Sequence, residues 1–418
     1  MKTKIFLLLS LFSLGANAGL ANNNDSHIQP VASDTLTVSE TEESFETSIP
    51  ELQHNDTTSV NVVEKKPKGI LKPIHWLRKY FQNANKGEDK RFDCSILFGP
   101  SYKATTSVTI GGGITGLYKW DRKDSTLQKS NVNIFFTASI KGMLKMSVSG
   151  RNFFKGDRNR LDYEFYIMNM PTDFWGLGYL NGANNDNVGS YDQLKISFHP
   201  NYFHRFAKNF YAGLGVRFQH IHSFDFTHPH FLGDFDKDIT STGAGIVVQY
   251  DSRDFTLNAK RGNYFRLEQM YFPKGLNHYD FHSTNIIYSA YRQMWKSGVV
   301  ALDLHGLLNY GNNVPWTMYA MVGQNGRMRG YYEGRYRDRN ILEGQVEVRQ
   351  HLVKRFGLAV WAGAANVFPD FKQISLKQIL PNYGVGFRWE FKKNVNIRFD
   401  LGFTKNKPNV EFGLGEAF

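Results

Sequence analysis

The chain has 418 residues, a formal charge of +12, 21% charged residues, 15% aromatic residues and 38 glycines. That mixture suits many short strands with glycine-marked turns and argues against a helical enzyme, because glycine and the aromatic residues are poor helix formers. The single cysteine, Cys94, excludes an internal disulfide and a cysteine-built metal cage.

Residues 1–18 carry Lys2 and Lys4, an apolar run from Ile5 to Leu14, and the small-residue site Ala16-Asn17-Ala18. This three-part layout predicts a cleaved secretory signal peptide. No later run reaches the roughly 18 apolar residues of a membrane helix. A secreted protein, a periplasmic protein or an outer-membrane β-barrel remains. Residues 19–63 are polar and acidic, without Lys or Arg, and are expected to be disordered. Residues 65–93 turn basic, and Ile74, Leu77 and Phe81 recur at helical spacing. The segment 19–93 therefore reads as a linker, with a short amphipathic helix near 70–83 that would lie at a membrane surface or against a barrel mouth.

From residue 94 the pattern changes to period two. Val395, Ile397, Phe399, Leu401 and Phe403 share one face, while Asn396, Arg398, Asp400 and Gly402 share the other. Tyr383, Val385, Phe387, Trp389 and Phe391 alternate in the same way with Gly384, Gly386, Arg388 and Glu390. Such alternation puts one face in lipid and the other toward a polar lumen. Turn signals divide residues 94–418 into sixteen strands, the first at 94–100, the sixth at 189–200 and the last at 410–418. Short connections near 201–208, 295–297, 353–355 and 392–394 alternate with long ones near 169–188, 223–238, 311–337 and 369–382. The expected fold is all-β, a closed 16-stranded antiparallel transmembrane β-barrel, because an open sheet edge has no hydrogen-bond partner in lipid. The chain ends on Phe418, in alternation with Val410, Phe412 and Leu414, and this resembles the C-terminal signal of bacterial outer-membrane proteins.

Two motifs go further. Gly326-Arg327-Met328-Arg329-Gly330-Tyr331 closes the longest loop, and Tyr250-Asp251-Ser252-Arg253-Asp254 precedes Gly262 at a turn between the eighth and ninth strands. Together they resemble the BamA/TamA superfamily of outer-membrane assembly and translocation barrels, also called the bacterial surface antigen family, over residues 94–418. The resemblance implies that Arg329, Gly330 and Tyr331 fold back into the lumen and that Tyr250, Asp251, Arg253, Asp254 and Gly262 form a periplasmic turn. The family's thirteenth strand carries an aromatic residue and then an Asp two positions on. Here Trp361 keeps the aromatic residue and Gly363 stands where the Asp would be. Glu343 and Glu347, on the lumen face by parity, and Trp361, through its ring, are the candidate partners of Arg329. Residues 19–93 lack the apolar strands and helices of the family's periplasmic POTRA modules, so the chain reads as a barrel-only member.

Other constellations carry less. His220, His222, His228 and His230 have paired spacing but suit loop and interface positions better than a metal site, and no metal or cofactor is expected. Asp303 and His305 share a lumen face with no spacing that selects Ser147 or Ser149 as nucleophile, so no enzyme is expected. The basic balance suits anionic lipid at the barrel rims, not nucleic acid. The expected function is assembly, insertion or translocation of client outer-membrane proteins. It would proceed through a seam between the last strand, with Gly413 and Gly415, and a short first strand. The alternatives are an accessory barrel bound to subunits of an envelope complex, a passive pore, and a barrel lipid hydrolase.

Overall fold

The structure is a computed structural model and describes residues 92–121, 127, 129–392 and 395–418. The sequence expectations for the signal peptide 1–18, the disordered stretch 19–63 and the helix near 70–83 fall outside these residues. Sixteen antiparallel strands form one closed barrel. They are β1 (Phe92–Lys103), β2 (Ser107–Tyr118), β3 (Ser130–Ser139), β4 (Leu144–Phe153), β5 (Asn159–Phe174) and β6, which has two segments (Gly189–Phe198 and Asn201–Ala207). There follow β7 (Phe210–Phe224), β8 (Asp238–Asp251), β9 (Gly262–Phe272), β10 (Phe281–Trp295) and β11 (Gly298–Gly311). The last five are β12 (Asn340–Val353), β13 (Phe356–Phe368), β14 (Leu380–Lys392), β15 (Val395–Phe403) and β16 (Asn409–Leu414). Each strand pairs with the next in sequence, and β1 meets β16 to close the ring.

β6 corrects the expected turn near 201–208. Its pairing with β5 runs on in register from Phe165↔Phe198 to Asp162↔Asn201. Glu164 and His199 exchange backbone hydrogen bonds between the two segments. Pro200 interrupts the ladder because it has no N–H to donate. The chain then reverses at Lys208 and Asn209, the latter at φ +63°.

Parity sorts the wall as the alternation predicts. Leu358, Val360, Val385, Phe387, Trp389 and Phe399 point outward and are exposed, whereas Gln345, Glu347, Arg388 and Asp400 point inward and are buried. Tyr271, His282 and Tyr310 stack ring on ring near one rim of the outer face. Amphipathic aromatic rings of this kind mark a membrane–water boundary.

The inner wall is not covered evenly. Along β11 to β16 the loop 312–339 presses onto it, with Met328, Tyr331 and Tyr336 packed against Ile341, Ala365, Val367 and Leu380. Across β4 to β6 the inward Ser149, Tyr166 and Lys195 are only half-buried and Glu164 is exposed. Above the barrel, Phe174, Tyr191, Leu232, Ile239 and Trp316 form an apolar cluster that ties the loops after β5 and β7 to the loop after β11. Trp316 Nε1 donates to the Asp236 carbonyl at 2.9 Å.

Candidate functional site

The loop 312–339 starts and ends at the rim formed by the long connections, yet its middle descends into the lumen. Arg329 is fully buried there. Its Nη1 donates to Asp400 Oδ2 at 3.0 Å and its Nη2 to Glu347 Oε2. The guanidinium carbon lies 3.6 Å from the centre of the Trp361 ring. Two carboxylates and an aromatic face thus enclose one planar cation, the geometry for which Arg is suited and Lys is not. Glu343 stands apart: it accepts from His305 Nδ1 at 2.6 Å. Asp400 was not expected as a partner, although parity already placed it with Arg398 on the polar face of β15.

Around Arg329 the charges alternate across four strands. Arg349 Nε donates to Glu347 Oε1 at 2.6 Å, Arg388 Nε to Glu416 Oε2 at 2.8 Å, and Arg398 Nη1 to Asp400 Oδ2 at 2.6 Å. Arg398 also lies 3.7 Å from Glu411. Four guanidiniums, of Arg329, Arg349, Arg388 and Arg398, therefore face four carboxylates, of Glu347, Asp400, Glu411 and Glu416. Matching is required here, because an unpaired buried charge costs several kcal/mol. A second anchor lies higher in the loop, where Arg327 Nε donates to Asp303 Oδ2 at 2.7 Å and Ser289 Oγ donates to Asp303 Oδ1 at 2.7 Å.

The C-terminal residues depart from the alternation. Phe418 was expected on the lipid face with Val410, Phe412 and Leu414. Instead β16 ends at Leu414 and Gly415 takes φ +80°, which turns the chain inward. Only glycine adopts that backbone without strain. Glu416 enters the charge cluster and also accepts from Asn396 Nδ2 at 2.6 Å. Phe418 packs beside Ala259, Tyr291 and Ala301, and its carbonyl accepts from Arg349 Nη2 at 3.0 Å.

The tail meets the turn between β8 and β9. The Glu416 N–H donates to the Leu257 carbonyl at 3.2 Å. That turn holds its shape through its own motif residues. Arg253 forms a two-pronged pair with Asp251 at 2.9 and 2.8 Å and lies over Tyr264. Asp254 Oδ1 accepts from the backbone N–H groups of Phe255, Lys260 and Arg261. Gly262 sits at φ +109°, where a Cβ would fall 2.3 Å from the Ser252 carbonyl oxygen. Tyr250 lies on the outer wall at the end of β8, opposite Phe265 and Phe210.

The seam joins strands of unequal length. β1 spans twelve residues, more than expected, and pairs with β2 along its whole length. With β16 it aligns at Tyr102↔Phe412 among the described residues. Gly413 lies on β16, whereas Gly415 lies just beyond it.

The remaining candidates stay apart. His220 and His222 both face Asp238, at 3.7 and 3.3 Å, on the outer wall. Among the described residues no group of three or more His, Cys, Asp or Glu side chains is arranged to hold a metal ion. Asp303 and His305 are each engaged with other partners, Arg327 and Glu343.

With this geometry in view, the sequence model of the Omp85 superfamily domain matches residues 98–418. The chain belongs to the Omp85 superfamily. Its barrel is similar to that of BamA from Haemophilus ducreyi lacking POTRA domains 1–3, at 12% identity and TM-score 0.55, over 82% of this chain and 78% of that one. It is also similar to CdiB from Acinetobacter baumannii and from Escherichia coli, each at 11% identity and TM-score 0.51 over 78% of this chain. This chain spans 60% and 62% of those two. At such identities the likeness is one of fold. A search of curated protein sequences returns no match. As an Omp85 barrel of sixteen strands, the protein is an outer-membrane protein, and its general place is in outer-membrane assembly and translocation.

Proposed function

We propose that this Omp85 barrel assembles or translocates client proteins through the seam between β1 and β16. The observation that carries the reading is the unequal length of the two seam strands, β1 with twelve residues and β16 with six, which meet at Tyr102↔Phe412. A six-residue strand cannot span a twelve-residue one, so this ladder is shorter than the one β1 shares with β2 along its whole length. A short ladder parts more readily than a long one, and a strand edge released in this way is an acceptor for a further strand. The charge cluster around Arg329 ties β12, β13 and β15 together, so the seam can part without unfolding the wall behind it.

A passive pore fits less well, because the loop 312–339 packs in the lumen against the wall beside β11 to β16. The clients, and whether the barrel works alone or as an accessory in an envelope complex, follow from what it captures.

The test uses Tyr102→Cys with Phe412→Cys in a Cys94→Ser background. Directly opposed residues have Cβ atoms about 4.5–5.5 Å apart, close to disulfide reach. Oxidation is expected to deplete folded outer-membrane proteins, and reduction to restore them. Unchanged protein levels with the cross-link fully formed overturn the proposal.

A further inference from the structure

Along β13 the outward positions are open to the membrane up to a point. Leu358 is 38% and Val360 50% exposed, whereas Asn366 is 9% and Phe368 0% exposed. Something covers the outside of the wall near the rim, and it is the loop 369–379 itself. Asn366 Nδ2 donates to the Ser375 carbonyl at 2.8 Å, and the Phe371 ring lies 5.3 Å from that of Phe368. Unlike the loop 312–339, which enters the lumen, this one folds down the outer face. Asp370 shapes its start by accepting from the Lys372 N–H at 2.9 Å, and two short 3-10 turns follow, Phe371–Gln373 and Leu376–Gln378.

The fold leaves Phe371 57%, Ile374 41% and Leu376 83% exposed, with Lys372 and Lys377 exposed beside them. Large apolar side chains held in water are unfavourable, and burial in an acyl layer removes that cost. The surface is continuous with the lipid-facing wall, since Tyr383 lies exposed on the neighbouring strand. Lysine stems run along apolar surface while their ammonium groups reach the headgroups.

We infer that the loop 369–379 is a membrane foot that binds phosphate-bearing anionic lipid. Phe371, Ile374 and Leu376 enter the edge of the acyl layer, and Lys372 and Lys377 hold the headgroup phosphates. Anionic headgroups draw in each nearby cation, so the foot fixes how deeply this side of the barrel sits.

The full chain, with Cys94→Ser, carries a nitroxide at Leu376→Cys, and a control places it at Leu180→Cys in the loop after β5, where the side chain is 75% exposed. Both are reconstituted into phosphatidylcholine vesicles with and without phosphatidylglycerol. Position 376 is expected to be open to dissolved oxygen and shielded from an aqueous nickel chelate, and position 180 the reverse. Phosphatidylglycerol is expected to deepen position 376. The pair Lys372→Glu and Lys377→Glu is expected to cancel that shift, and inorganic phosphate not to reproduce it. A label at 376 as accessible to the chelate as that at 180, or a depth indifferent to phosphatidylglycerol, overturns the proposal. Shielding that arises only when a second protein is added also overturns it and marks a protein-docking surface. Barrel closure is monitored separately by heat-modifiable gel mobility, and no outcome depends on the seam.

Discussion

Gly330 and Gly402 lie back to back, one on the descending loop and one on β15. A Cβ on Gly330 would fall 2.8 Å from the Gly402 backbone, and a Cβ on Gly402 would fall 2.4 Å from the Arg329 carbonyl oxygen. Gly330 also holds φ +102°. The close approach sets the height at which Arg329 meets Glu347 and Asp400. Gly402→Val is expected to leave a closed barrel but lift the loop, at a cost of about 1–3 kcal/mol. Limited proteolysis should then cut within 312–339 at protease levels that spare the parent.

Arg329→Lys keeps the charge and loses the fork. The ammonium can reach one carboxylate, not both, and the stack on Trp361 is lost. Glu347→Gln leaves Arg329 and Arg349 short of a counter-charge and is the more damaging change, about 3–5 kcal/mol. The temperature at which the folded band disappears on unheated gels should fall in the order parent, Arg329→Lys, Glu347→Gln. Glu343→Gln, outside the cluster, should fall between the parent and Glu347→Gln.

Gly415→Val is expected to straighten the chain end, because a β-branched residue resists φ +80°. Paired cysteines at Ala259 and Phe418, in a Cys94→Ser background, report the tail, since Phe418 packs against the cluster that holds Ala259. The cross-link should form readily in the parent and weakly with Gly415→Val. Equal yields would show that another force holds the tail.

The turn between β4 and β5 supplies a pH prediction. Asp157 accepts from Arg160 Nε and Nη2 and from Tyr211 Oη, each at 2.8 Å, with Arg205 at 3.4 Å. Burial works to raise its pKa, but the hydrogen bonds from Arg160 and Tyr211 prevail and hold it below the usual carboxylate range. A depressed folded-state pKa contributes stability above the ordinary carboxylate pKa, and this is lost as pH falls through the folded value. Asp157→Asn, which tolerates the observed φ of +51°, should lower the thermal midpoint at neutral pH. The gap from the parent should close on acidification. A constant gap from neutral to acid pH would rule out the charge as its cause.

Much of the barrel was legible because two environments alternate along each strand. Residues 395–403 are the clearest case, since every outward position is apolar and every inward one is polar or glycine. Arg329 and its partner Glu347 followed from motif and parity. What was not legible depends on the third dimension. Asp400 had the right parity, but strand order alone could not bring it to Arg329. Residues 201–208 were expected as a turn, whereas Pro200 only interrupts the strand and the pairing with β5 resumes at Asn201. Phe418 continued the alternation by count, and only the backbone at Gly415 sends it inward. The burial of Asn366 had no signal in β13, because it comes from a loop that folds outward.

The inward tail has a consequence for biogenesis. Its contacts come from the β8–β9 turn and from β10, β11, β12 and β14, all synthesised earlier. The tail thus reaches from β16 across the lumen to strands that are not its neighbours in the ring. A molecule whose wall has not yet curved this far leaves Phe418 without Ala259, Tyr291 and Ala301 to pack against.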